Sequence, residues 1–101
     1  MPDLDPVIHA EARLRVVASL ATLGRKDQML FTRLQEILSM TPGNLSTHLR
    51  KLEVAEYVEV TKTHLGRKPA TYVALTSSGR AAFETYRTNL AALLADSKTQ
   101  T

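Results

Sequence analysis

The sequence predicts a small, mainly α-helical domain that carries one β-hairpin, an α+β fold. Apolar residues recur at helical spacing in several segments, and the period changes to two between residues 57 and 76. The chain has 101 residues and no cysteine. This length is enough for one hydrophobic core, so we predict a single domain over residues 1–95 and a frayed polar tail over 96–101.

The first helix is predicted from Val7 to Leu23, because its apolar residues form one stripe: Ile8, Ala12, Val16, Leu20 and Leu23. Gly24 follows in the place of a C-terminal capping glycine. Residues 27–31 are too few for a helix, and we expect a short stub of strand there.

Two further helices follow closely. Thr32 is the predicted N-cap of the second helix, with Gln35 as its capping-box partner, and the inward residues are Leu34, Ile37 and Leu38. Thr41 caps the third helix and Pro42 takes its first position, where a missing N–H costs nothing. This helix runs to about Ala55 with Leu45, Leu49 and Leu52 facing inward.

The period-two segment predicts a β-hairpin with strands at residues 57–65 and 70–76 around a Gly66–Pro69 loop. Thr76 or Ser77 then caps a last helix. The predicted order is helix, strand stub, helix, helix, hairpin, helix. Two short helices joined by a tight turn and followed by a two-stranded hairpin form a winged helix-turn-helix.

Several blocks of the sequence match the pattern of one protein family, and the long third block and the last block are the most specific of them. They are Arg13-Leu14-Arg15-Val16-Val17, Phe31-Thr32-Arg33-Leu34, Gly43-Asn44-Leu45-Ser46-Thr47-His48-Leu49-Arg50-Lys51-Leu52-Glu53, Tyr57-Val58-Glu59-Val60, Gly66-Arg67-Lys68-Pro69 and Leu75-Thr76-Ser77-Ser78-Gly79-Arg80. Through them the chain resembles the small stand-alone winged helix-turn-helix transcriptional regulators of the MarR/ArsR type. The resemblance covers roughly residues 8–86 and implies sequence-specific binding of double-stranded DNA by a homodimer.

Glu56 departs from the family pattern, which usually has glycine after the recognition helix. Glycine accepts a left-handed backbone there, which costs glutamate about 1 kcal/mol. Either the third helix ends differently in this chain, or Glu56 is strained.

The outward face of the third helix suits a major groove, because its side chains are short near the helix start and basic farther along. The predicted DNA-binding residues of this recognition helix are Gly43, Asn44, Ser46, Thr47, Arg50 and Lys51. The wing is expected to bind the adjacent minor groove or its phosphates through Lys62, His64, Arg67 and Lys68.

The charge distribution agrees with these positions. The chain carries a net charge of +3, and residues 42–69 hold five basic against three acidic side chains, a surplus of two. The three acidic residues, Glu53, Glu56 and Glu59, are expected to point away from the phosphates.

Apolar residues near the two ends of the chain predict a two-fold dimer interface: Ile8, Phe83, Tyr86, Leu90, Leu93 and Leu94. Simple packing within one chain is the other interpretation. If this surface is the working one, the alternative function is a winged helix protein–protein interaction module without DNA binding.

The remaining motifs give no support for an enzyme. No nucleophile–histidine–acid arrangement or carboxylate pair stands out, and His48 is predicted to be a hydrogen-bonding packing residue rather than a ligand or base. The missing cysteines exclude thiolate metal sites, and we predict no cofactor and no metal. No segment singles out an effector pocket, and none approaches the length of a membrane span, so we expect a cytoplasmic protein.

Overall fold

The computed structural model describes residues 3–99, with side chains through residue 96. The elements are α1 (Glu11–Ala21), β1 (Met29–Leu30), α2 (Phe31–Leu38), α3 (Pro42–Val54), β2 (Val58–Leu65), β3 (Lys68–Leu75) and α4 (Ser77–Thr99). This order confirms the predicted winged helix. α4 continues to Thr99, four residues beyond the predicted domain boundary, and residues 100 and 101 lie outside the described residues.

The three strands form one antiparallel sheet in the order β1-β3-β2. The wing strands pair from Val58 with Leu75 to Leu65 with Lys68, and β1 adds two pairs on the other edge of β3. One hydrophobic core lies between this sheet and the first three helices. Its fully buried members include Val16, Leu20, Leu34, Leu45, Leu52 and Val73.

The first helix is shorter than predicted, because residues 6–8 form a turn and residues 9–10 a bend instead. The Asp5 carboxylate accepts hydrogen bonds from the backbone N–H groups of Val7 (2.9 Å) and Ile8 (3.4 Å). An aspartate that binds nearby amides in this way favours a turn over a continuous helix. At the other end α1 stops at Ala21, two residues before the predicted end, and Gly24 does not have the positive φ typical of a C-terminal capping glycine.

Two predictions for α2 are wrong. Its N-cap is Leu30 and not Thr32, because β1 runs directly into the helix and its last residue occupies the cap position without a side-chain bond. Ile37, predicted to face inward, is 45% exposed. α2 ends at Leu38, and the next residue, Ser39, has a φ of 52° in the left-handed region.

The wing turn is also tighter than predicted. Gly66 and Arg67 alone connect the strands, with φ of 64° at Gly66, as in a two-residue turn that needs glycine at its first position. Lys68 and Pro69 belong to β3. Pro69 pairs with His64 beyond the end of β1, so its missing N–H costs no bond to a second neighbour strand.

Candidate nucleic-acid interface

The start of α3 is built as the sequence predicted. The Thr41 side chain accepts a hydrogen bond from the Asn44 N–H at 3.1 Å, and Pro42 takes the first helical turn. Leu45, Leu49 and Leu52 are buried against the core. This packing fixes which side of α3 faces outward.

The outward side of α3 consists of the predicted recognition residues. All six are exposed: Gly43, Asn44, Ser46, Thr47, Arg50 and Lys51. Nothing lies within 4 Å of where a β-carbon on Gly43 would stand, so the helix start is open to a partner. The Thr47 hydroxyl donates to the Gly43 carbonyl oxygen at 2.9 Å, which ties this side chain back to its own helix.

The end of α3 sets the direction of the wing. The Tyr57 N–H donates to the Leu52 carbonyl (2.9 Å) and the Glu56 N–H to the Glu53 carbonyl (2.8 Å), which is a Schellman motif. Its left-handed residue is Glu56, with φ of 65°. Of the two alternatives given by the sequence, the helix therefore ends as in the family and Glu56 carries the strain.

The Leu-Thr-x-x-Gly-Arg block holds this junction in place. The Thr76 hydroxyl donates to the Glu56 carbonyl (2.7 Å) and accepts from the Gly79 N–H (2.9 Å), so Thr76 is the N-cap of α4. The Arg80 guanidinium donates to the carbonyl oxygen of Ala21, the last residue of α1, and to that of Leu23 in the following loop. One short block thus connects α4 to both α3 and α1.

The wing carries the second predicted set of residues. Lys62, His64, Arg67 and Lys68 are all exposed. Lys62 and His64 lie on the same face of β2 as Val58 and Val60, because side chains alternate along a strand. This is the face that turns toward α3 near the body of the domain.

A cleft of about 690 Å³ separates α3 from the wing. The structure brings together Ser46, Arg50 and Lys62 around it, whereas His64, Arg67 and Lys68 lie farther out at the wing tip. Glu53 also lines this cleft, so its carboxylate lies beside the predicted DNA-binding residues of α3 and the wing. Glu56 and Glu59 do not line it.

The opposite side of α3 faces α1 and the N-terminal segment, which comprises residues 3–10. Burial lowers the pKa of His48, and the charges of Arg13 and Lys51 lower it further. The Nδ1 atom of His48 is buried, and no partner for it occurs within the described residues. His48 is a half-buried packing residue, but the hydrogen bond predicted for it does not occur at Nδ1 among the described residues. It also lies next to two cations, Arg13 and Lys51, which the sequence analysis did not connect with it.

The predicted dimer residues fall into two groups. Ile8 is completely buried and Tyr86 is 3% exposed, so both belong to the interior of the protomer and cannot form a surface in this conformation. Phe83 packs partly buried against the core. Leu90 and Leu93 are half-buried, and Leu94 is 56% exposed.

Ile8 and Tyr86 are buried because hydrogen bonds hold the N-terminal segment against α4 and the residue before β2. The Tyr57 hydroxyl donates to Asp5, His9 Nδ1 lies 2.9 Å from the Tyr86 hydroxyl, and Asn89 donates to the Asp3 carbonyl at 2.9 Å. The hydrogen bond from Tyr57 to Asp5, with burial, raises the pKa of Tyr57 to about 12.

The fold and this surface define a winged helix protein of the DNA-binding class. The family model described as "Winged helix DNA-binding domain" matches residues 12–94, and the chain belongs to this family. A relative in Methanocaldococcus jannaschii, the uncharacterized protein MJ0432, is 34% identical over 80 residues, which are 79% of this chain and 84% of the relative.

Solved structures place the chain among transcriptional regulators. A transcriptional regulator homologue from Pyrococcus horikoshii OT3 has a TM-score of 0.81 and 28% identity, over 89% of this chain and 86% of that one. A MarR-family transcriptional regulator from Silicibacter pomeroyi shares the fold with a TM-score of 0.65 at 22% identity, over 85% and 55% of the two chains. The protein is accordingly a small winged helix regulator and not an enzyme.

Two further findings concern the described residues. None of their helices is both long and apolar enough to span a membrane. Within the same part of the chain, no cluster of three or more metal-ligating side chains occurs.

Proposed function

We propose that the chain is a sequence-specific regulator that binds double-stranded DNA, with α3 in the major groove and the wing at the adjacent minor groove or phosphates. The observation that carries this proposal is the outward side of α3, where six exposed small, polar or basic residues follow a capped helix start. Short side chains near the start of α3 allow the helix to come close to the base edges in the major groove. The basic residues lie farther along the helix, where the DNA phosphates would be near.

Arg50 and Arg67 have different roles in this proposal. Arg50 lies on α3, beside the cleft, in reach of a guanine or a phosphate, whereas Arg67 lies at the tip of the wing. Loss of Arg50 should therefore affect sequence preference or affinity, and loss of Arg67 should weaken all duplexes similarly.

The test is fluorescence anisotropy with a duplex selected from random DNA and a scrambled duplex, over a series of salt concentrations. We expect Arg50→Ala and Arg67→Ala to weaken binding, and we expect the affinity of the unaltered chain to fall steeply with salt. Lys26→Ala is the matched control, since Lys26 is an exposed cation between α1 and β1, outside the cleft beside the wing and outside α4. Absence of salt-dependent duplex binding would refute the proposal and favour the protein-interaction module.

We further propose that the chain acts as a homodimer through the C-terminal part of α4. The molecule measures 59 × 25 × 21 Å, and α4 has 23 residues with Leu94 exposed near its end. Leu90 and Leu93 lie half-buried on the same helix. A two-fold pair would cover this apolar surface and place two recognition helices on half-sites about one helical turn, roughly 34 Å, apart.

Sedimentation velocity tests the dimer. Leu94→Gln should shift the chain toward the monomer, because a polar amide would be buried against the second copy. Thr85→Gln, at an exposed position of the same helix, should leave the oligomeric state unchanged. A monomeric unaltered chain at micromolar concentration would contradict this proposal.

A further inference from the structure

A helix that lies in a major groove has a phosphate strand on each side. The wing lies on one side of α3, and Ser46, Arg50 and Lys62 line the cleft on that side. The other side of α3 is bordered by α1 and the N-terminal segment. The sequence analysis predicted DNA contacts for Arg50 and Lys51 of α3, but for no residue of α1 or the N-terminal segment.

A second cleft, of about 500 Å³, lies on that side. It is lined by Arg13 of α1, by Arg50 and Lys51 of α3, and by the apolar residues Pro6, Val7 and Val54. Among the residues that the structure describes, no carboxylate lines this cleft, in contrast to Glu53 in the cleft beside the wing. Three positive charges thus converge on one opening next to the recognition helix.

A hydrogen bond to the N-terminal segment fixes the position of the Arg13 side chain. Its Nε donates to the Val7 carbonyl at 2.7 Å, which fixes the plane of the guanidinium. Within residues 3–99, no acceptor bonds to its terminal nitrogens Nη1 and Nη2. A guanidinium that is anchored through Nε and free at its two ends has the geometry that binds phosphate oxygens in pairs.

We infer that Arg13, together with Lys51, binds the DNA phosphate strand on the side of α3 opposite the wing. The inference rests on the proposed DNA binding and extends it to α1. The apolar lining from Val7 and Val54 suits the carbon edge of a deoxyribose beside that phosphate. The recognition helix is then held between two phosphate contacts, one from the wing and one from α1.

The main test compares Arg13→Gln with the unaltered chain in full salt titrations on a selected and a scrambled duplex. Each protomer of the proposed dimer loses one phosphate contact, so the slope of log affinity against log salt should fall by about 2, and binding should weaken roughly a hundredfold at 0.1 M salt. The ratio of the two affinities should stay the same, because phosphate contacts carry no sequence information.

Two variants serve as controls. Arg13→Lys keeps the charge and should retain most of the salt slope. Lys26→Gln removes an exposed cation between α1 and β1, outside both clefts and outside α4, and should change neither slope nor affinity. An unchanged slope in Arg13→Gln, or an altered ratio between the duplexes, would overturn the inference while leaving the proposed DNA binding intact.

Ethylation interference with the unaltered chain makes the result independent of how Arg13→Gln folds. The inference expects ethylated phosphates to block binding on both sides of the major groove that α3 occupies. Interference on the wing side alone would overturn the role of Arg13. Failure of the unaltered chain to bind any duplex would instead refute the proposed function itself.

Discussion

Gly79 packs its backbone directly against the carbonyl oxygen of Tyr57, where a β-carbon would overlap that oxygen. The contact joins the first turn of α4 to the residue that opens the wing. The same carbonyl accepts the Thr76 N–H at 3.0 Å, so the approach is fixed by a hydrogen bond. The angle between recognition helix and wing therefore depends on a residue without a side chain.

Gly79→Ala is expected to lower the free energy of unfolding by about 3 kcal/mol, because the overlapping partner is backbone and must move as a unit. Urea denaturation followed by circular dichroism measures the change. Gly43→Ala is the matched control. Its β-carbon meets nothing within 4 Å, and alanine should raise stability by up to about 1 kcal/mol in a helix. Equal effects at the two glycines would contradict this account.

Glu56→Gly is expected to stabilise the chain by about 1 kcal/mol, because glycine adopts the left-handed conformation without the steric cost that glutamate meets. The φ of 65° at Glu56 and the Schellman hydrogen bonds are the basis for this expectation. Thermal and urea unfolding both measure it. Glu56→Ala removes the same charge but keeps a β-carbon, so it should raise the free energy of unfolding much less than Glu56→Gly does. An equal increase in the two variants would show that the charge, and not the backbone conformation, is responsible.

The recognition helix and wing were predictable from local signals. Thr41 and Pro42 mark a helix start by chemistry that acts within one turn, and the change of period to two marks the hairpin strands. The position of Glu56 was predictable only through the family resemblance. Its left-handed backbone is a property of the helix end, and glutamate itself gives no sign of it.

The N-terminal segment and the second side of α3 could not be predicted in the same way. Ile8 fits the helical stripe of α1, but the Asp5 carboxylate turns the backbone there and Ile8 enters the core. Arg13 reaches α3 only because α1 packs across it, which is a tertiary contact. Periodicity reports which residues are buried in an element and not which element lies beside them.

The bond between Tyr57 and Asp5 should make stability depend on pH in the alkaline range. The pKa of Tyr57 rises from 10.0 to about 12 in the folded chain, so the stabilisation is fully present below pH 10 and is lost as the pH rises toward 12. Unfolding measured between pH 9 and 12 tests this. Tyr57→Phe, which has no phenol to ionise, should show a smaller fall in stability over that range, and an identical fall would exclude Tyr57 as the cause.

Thr47 is expected to contact DNA through its methyl group. Its hydroxyl already donates to the Gly43 carbonyl at 2.9 Å, which leaves the methyl as the part of the side chain available to a thymine methyl. Thr47→Val keeps a methyl and should retain most of the affinity for a selected duplex. Thr47→Ser loses it and should weaken binding by about 1 kcal/mol per protomer, roughly thirtyfold for the proposed dimer, as should replacing the contacted thymine by uracil in both half-sites. If Val weakens binding more than Ser, the hydroxyl and not the methyl makes the contact.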